Sequence, residues 1–224
     1  MPEAFVATLA AYRRCAVFNP WGERDPQNDR DLDGPLVRRR QLLAYLQERI
    51  GAARILLVAE AIGYQGGHFS GIPMTSERLL LGGLQHKDIF PADVFRRAPQ
   101  RTSSPKIKPE GFTEPTATIV WGLLKSLGID PRSVVLWNAF PWHPYQLQKG
   151  LLSNRTPSDE ELVDGHGVLR LLLSLGGFKT LVAVGRKSAI QLAGLGLDAA
   201  EVRHPANGGA GKFREQMSGI LRGL

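Results

Sequence analysis

The chain has one cysteine, Cys15, among 224 residues. A single thiol excludes an internal disulfide and any zinc or iron–sulfur site that draws several thiolates from this chain. Such sparing use suits a reducing compartment, so a cytoplasmic protein is expected. Histidine is nearly as scarce. His68, His86, His143, His166 and His204 show no HxxxH-type spacing, so neither a metal nor another cofactor is expected. Long apolar runs are missing too: none reaches the roughly 18 residues of a membrane span, and no basic stretch followed by an apolar one opens the chain. The expectation is therefore no membrane span and no secretory signal.

Phosphate-binding loops are also absent. Neither GxGxxG nor GxxxxGK[ST] follows the first apolar run, and GGAGKF at 208–213 has a Gly-Lys pair without the spacing or the hydroxyl. Nucleotide hydrolysis fits poorly.

What is present is an ordinary globular composition, with 43% hydrophobic and 22% charged residues, enough to bury a real core in one domain. The 28 Lys and Arg outnumber the 21 Asp and Glu, leaving a net charge of +7. A basic surface attracts polyanions, of which nucleic acid is the commonest.

Apolar runs at 55–59, 133–140, 179–185 and 199–205 read as strands. Helical patterns fill 77–84, 116–127, 159–175, 187–193 and 212–221, and a further helix ends at Gly51. Short, continuous apolar strands alternating with helices predict an α/β fold, a parallel sheet covered on both faces. No domain boundary is visible. Residues 1–224 read as one domain, with 1–50 as a helical and irregular extension packed on it. Two irregular stretches stand out: 19–35, anchored through Trp21, and the basic, proline-bearing segment 95–115. Within the latter, Thr113-Glu114-Pro115 reads as a helix entry with Thr113 as cap, a structural feature.

In an open parallel sheet, ligands bind beyond the C-terminal ends of the strands. The first strand delivers Glu60 into a glycine-rich turn, the second delivers Asn138, and the fourth delivers His204. Each has a plainer role open to it. Glu60 could cap the turn that follows, Asn138 could satisfy loop backbone, and His204 before proline could be a surface turn residue. Their placement at three strand ends argues that a carboxylate, a carboxamide and an imidazole converge on one crevice.

Three motifs carry a resemblance. AEAIGYQGGHFSGIP (59–73) resembles the first motif of the uracil-DNA glycosylase superfamily, in its GEAPG-type branch. LWNAFPWHP (136–144) resembles the middle motif, and RHPANGG (203–209) resembles the HPS-type second motif. The resemblance covers residues 54–213 and implies a three-layer α/β/α fold with a central four-stranded parallel sheet. It also implies excision of uracil from DNA as part of base excision repair, leaving an abasic site. Such an enzyme extrudes the base into a tight pocket.

By that resemblance Glu60 and His204 are catalytic. Glu60 would position water and favour the cationic sugar, and His204 would donate to O2 of the departing base. Phe69 would stack on the base and Asn138 would read it. Ala61 and Ile62 would offer backbone N–H groups. Gly63 stands where strictly uracil-specific members carry a tyrosine gate, which predicts an open pocket and a broader range of bases. The iron–sulfur cluster usual in the GEAPG branch needs four cysteines, and this chain has one. DNA contacts are expected from Arg101, Arg186, Lys187, Asn207 and Lys212, with Lys106, Lys108, Arg203 and Arg214 as further candidates. His68 could touch sugar or phosphate, or lie at the surface, and His143 belongs to an aromatic pocket wall. The expected form is a cofactor-independent monomer. A non-catalytic binder of uracil-containing or abasic DNA and a nucleoside-processing enzyme are the rival readings.

Overall fold

The computed structural model describes residues 1–222. In chain order the elements are α1 (Pro2–Ala11), β1 (Val17–Phe18), α2 (Gly34–Gln47), β2 (Ile55–Ala61), α3 (Gly67–Ser70), α4 (Glu77–Leu80), α5 (Pro91–Val94), α6 (Pro115–Ser126), β3 (Val134–Phe140), β4 (His143–Pro144), α7 (Asp159–Leu175), β5 (Thr180–Val184), α8 (Arg186–Gly194), β6 (Ala200–Val202) and α9 (Ala210–Arg222). Four strands form a parallel sheet in the order β3-β2-β5-β6. The continuous apolar runs of β2, β3 and β5 bury both faces, as a sheet between two helical layers requires, while edge strand β6 is partly exposed. Leu56, Leu57, Val58, Val135, Leu136, Val182 and Ala183 are sealed from solvent. This is the three-layer α/β/α arrangement.

Connections leave the sheet centre in opposite directions. β2 leads outward to β3, whereas β5 leads outward to β6. Right-handed crossovers then place their helices on opposite faces and open a crevice at the C-terminal ends of β2 and β5. Register levels those ends: Ala59 pairs with Asn138, Val58 with Ala183, and Val184 with Val202.

The N-terminal residues are built into the core. α1 packs on α2 and α7, with Phe5, Leu9 and Trp21 fully buried. The irregular stretch 19–35 is held by Arg38 of α2. Its buried guanidinium binds both Asp29 carboxylate oxygens at 2.7 and 3.0 Å and also donates to the Pro20 and Glu23 carbonyls.

Two differences from the sequence expectations have local causes. The helix expected over 77–84 stops at Leu80, because Gly82 adopts φ +84° and a 3-10 turn at Gln85–Lys87 follows. The strand expected over 199–205 shrinks to Ala200–Val202, freeing Arg203 and His204 to turn into the crevice.

Candidate active site

The loop after β2 starts the site. Glu60 is half-buried, with its Oε1 3.8 Å from Lys187 Nζ at the start of α8. Beyond it Ile62 is buried, and the chain folds back so that Gly66 N–H donates to the Gly63 carbonyl at 3.1 Å. α3 follows and ends at Gly71, whose φ of +73° and contact with the Arg38 backbone leave no room for a Cβ.

His68, on α3, is neither at the surface nor placed to meet sugar or phosphate. Its ring is fully buried, stacked on Phe18 at 4.0 Å. Nε2 lies 3.1 Å from Asp25 Oδ2, and Nδ1 lies 2.9 Å from His143 Nδ1. His143 Nε2 in turn donates to the Ser153 carbonyl at 2.8 Å. Burial lowers both imidazoles, His143 to about 3. Burial works to raise the Asp25 carboxyl, but His68, the Asn28 side chain and the Gln27 N–H together outweigh it and hold the group below the usual range. This chain of contacts ties the 19–35 stretch, the glycine-rich loop and the 150–156 loop into one unit.

Phe69 is also fully buried, and it offers no free face for stacking. Phe112 lies parallel to it at 4.2 Å and 18°, and His68 covers it from another side at 4.3 Å. The segment 95–115 thus supplies a ring in the position expected for a base. That segment is pinned by a buried carboxylate: Glu77 accepts from the Thr102 and Ser103 N–H groups at 2.7 and 2.9 Å.

Asn138 lies within β3 beside Ala59, two residues short of the strand's end at Phe140, and is 1% exposed. Its amide oxygen is buried without a hydrogen-bond partner. His204 follows β6 and is half-buried. Its Nδ1 accepts from the Ala206 N–H at 3.1 Å, so Nε2 carries the ring proton. Burial and the neighbouring Arg203 keep the imidazole below its ordinary range, hence neutral. Gly185, at φ +94°, lets the His204 side chain lie against the end of β5.

Two adjoining clefts open here. One, of about 310 Å³, is lined by Ala61, Gly63, Gly66, Glu114, Asn154 and His204, among others. The other, of about 510 Å³, is lined by Glu60, Arg155, Arg203 and Asn207, and shares Asn154, His204 and Ala206 with the first. Glu60 and His204 therefore border one continuous groove, whereas Phe69 and Asn138 are buried and line neither cleft.

Two residues of this groove were not expected as site residues, and one of them, Glu114, also takes the N-cap position expected of Thr113. Asn154 fills the space beside Gly63: its Oδ1 accepts from the Tyr64 N–H at 3.0 Å, and a Cβ on Gly63 would stand 3.3 Å from its amide. The expected opening at Gly63 is thus occupied, by a side chain distant in sequence. Glu114 is the N-cap residue of α6, yet its side chain makes no capping bond. Its Oε2 is buried and unpaired, and burial alone pushes its carboxyl up to about 7. Ser, Thr, Asp and Asn are the usual caps, so glutamate ahead of Pro115 was the one signal available.

The basic residues separate into groups. Arg101 donates to the Lys108 and Pro109 carbonyls, bracing its own loop rather than standing free. Arg186 is exposed near Glu201 at 3.7 Å, and Lys187 leans to Glu60. Lys106, Lys108, Arg203, Lys212 and Arg214 are exposed. Asn207, exposed at φ +52°, projects beside the groove. Among the described residues, no group of three or more His, Cys, Asp or Glu could hold a metal ion, and no helix is long and apolar enough to cross a membrane.

No family model and no curated protein matches the chain. Among solved structures it is similar to wild-type SMUG2 of Pedobacter heparinus, at 14% identity and a TM-score of 0.65, over 100% of this chain and 97% of that one. The likeness is one of fold, the three-layer α/β/α arrangement with a four-stranded parallel sheet.

Proposed function

We propose that the chain is a monofunctional DNA glycosylase that extrudes and excises uracil, and further deaminated or damaged bases, leaving abasic sites for base excision repair. It acts as a monomer, without a cofactor, in the cytoplasm. The observation that carries this reading is the buried, unpaired amide oxygen of Asn138 at the level of the Glu60 strand end. Leaving such a group unsatisfied costs about 1–3 kcal/mol, a cost that a ligand reaching it would offset.

The chemistry follows from the groups. The Asn138 amide can accept from N3–H of uracil and donate to O4. Cytosine reverses both and would leave buried partners unmatched. His204, neutral with its proton on Nε2, donates to O2 as negative charge develops there. Glu60 favours the oxocarbenium-like sugar and orients the attacking water. Exposed Lys106, Lys108, Arg186, Arg203, Lys212 and Arg214 would hold phosphates, with Asn207 at the groove edge. No lysine stands in a motif position, so no Schiff-base lyase step is included.

The second reading, a non-catalytic binder of uracil-containing or abasic DNA, draws on the Phe69–Phe112 stack, which closes the expected base position. Enzyme-excess incubation with oligonucleotides bearing uracil, hypoxanthine or thymine separates the two. Release of free uracil supports the glycosylase. Salt-sensitive binding with no release from any substrate supports the binder.

A further inference from the structure

We propose that Glu114 is a catalytic acid, whose protonated carboxyl donates to the extruded base as the glycosidic bond breaks. This rests on the glycosylase reading. Glu114 stands at the head of α6 but turns its side chain away from the helix and into the cleft. There Oε2 is buried with no partner. An ionised carboxylate in that position would be desolvated without compensation, so burial favours the neutral form. Burial alone raises the group to about 7. A neutral carboxyl is a donor, and here its acceptor is missing from the protein.

The surroundings are built to fit it. A Cβ on Gly66 would land on the Glu114 carboxyl, so that loop glycine makes the room. Across the same cleft lie Ala61, Gly63, Asn154 and His204. His204 is the one titratable neighbour lining that cleft, and it is held neutral by burial and Arg203. Glu60 and Arg203 line the adjoining cleft, Glu60 facing Lys187. Arg78, Lys108 and Glu110 line the neighbouring hollow beyond Gln65. Two carboxyl groups thus border one groove in different environments, one ion-paired and one buried alone. Such a division separates acid from base roles.

The step balances as follows. The C1′–N bond breaks with its electron pair moving to the base, and the Glu114 proton passes to a base oxygen or nitrogen. Water adds its oxygen to C1′ and gives a proton to Glu60. The products are the neutral base and a C1′ hydroxyl. Proton transfer through solvent from Glu60 to Glu114 restores the enzyme.

The test compares single-turnover release of uracil and of 5-fluorouracil, whose departing anion is more stable and needs an acid less. Wild type and Glu114→Gln are measured across pH, with DNA binding measured in parallel. The variant is expected to lose about 100-fold on uracil, far less on 5-fluorouracil, and to bind DNA unchanged. Wild-type uracil release should fall as pH rises through about 7, and the variant should lack that limb. Wild type alone supplies a second readout, since its preference for 5-fluorouracil should grow above that pH. Equal losses on both bases, no loss, or a pH-independent wild-type preference would overturn the acid while leaving the glycosylase intact. A wild type that binds DNA and releases neither base would overturn both.

Discussion

His68 and His143 meet Nδ1 to Nδ1 at 2.9 Å, deep in the protein. Three contacts run along this line, from Asp25 through both rings to the Ser153 carbonyl, and each needs a proton. Two neutral imidazoles supply two. With His143 donating to Ser153, the single proton of a neutral His68 serves either its His143 contact or its Asp25 contact.

Stability should therefore depend on pH through His143. Its folded value of about 3 lies below the ordinary 6.5, so acid protonates the unfolded chain first. The stabilisation is complete above 6.5 and is lost as pH falls toward 3. Thermal melts should show Tm declining over that window, with a shallower decline in His143→Gln. Parallel curves for the two proteins would contradict the assignment.

The Arg38–Asp29 pair predicts a large structural penalty. Both side chains are fully buried and bonded through two oxygens. Asp29→Ala strands the guanidinium and should cost about 3–5 kcal/mol, read by chemical denaturation. A loss under 1 kcal/mol would place the pair among contacts worth about as little as surface ones.

Asn154 is expected to set the size of the accepted base. It fills the volume beside Gly63, so Asn154→Ala should raise release of thymine relative to uracil in competition assays. An unchanged ratio would show that the side chain does not border the base.

Gly185 predicts a loss of rate out of proportion to stability. At φ +94° and against the His204 Cβ, an alanine is strained and displaces the imidazole. Gly185→Ala should cost about 1–2 kcal/mol in folding and at least about 10-fold in release, since one oxyanion-type donor is worth more than that. Normal release would separate His204 from the chemistry.

The architecture was legible because it is written locally. The run 55–59 and the apolar stretches around 135 and 182 are strands buried on both faces, and periodicity alone reveals them. Strand ends pointed to Glu60 and His204, which the structure brings to one groove, whereas Asn138 lies inside β3 and lines neither cleft. The remainder depended on distant partners. Nothing near Gly63 announces Asn154, and nothing near Phe69 announces Phe112, which removes the free face that stacking would need. His68 read as a loop residue because its partners, Asp25 and His143, lie 43 and 75 positions away. The helix over 77–84 failed for a local reason, the left-handed Gly82.

The most direct test of the central claim is single-turnover uracil release by wild type and Asn138→Ala, with binding of the same oligonucleotide measured alongside. The account predicts release by wild type, a loss of at least about 100-fold in the variant, and little change in DNA affinity, which phosphate contacts dominate. Undiminished release by Asn138→Ala, or binding without release by wild type, would contradict it.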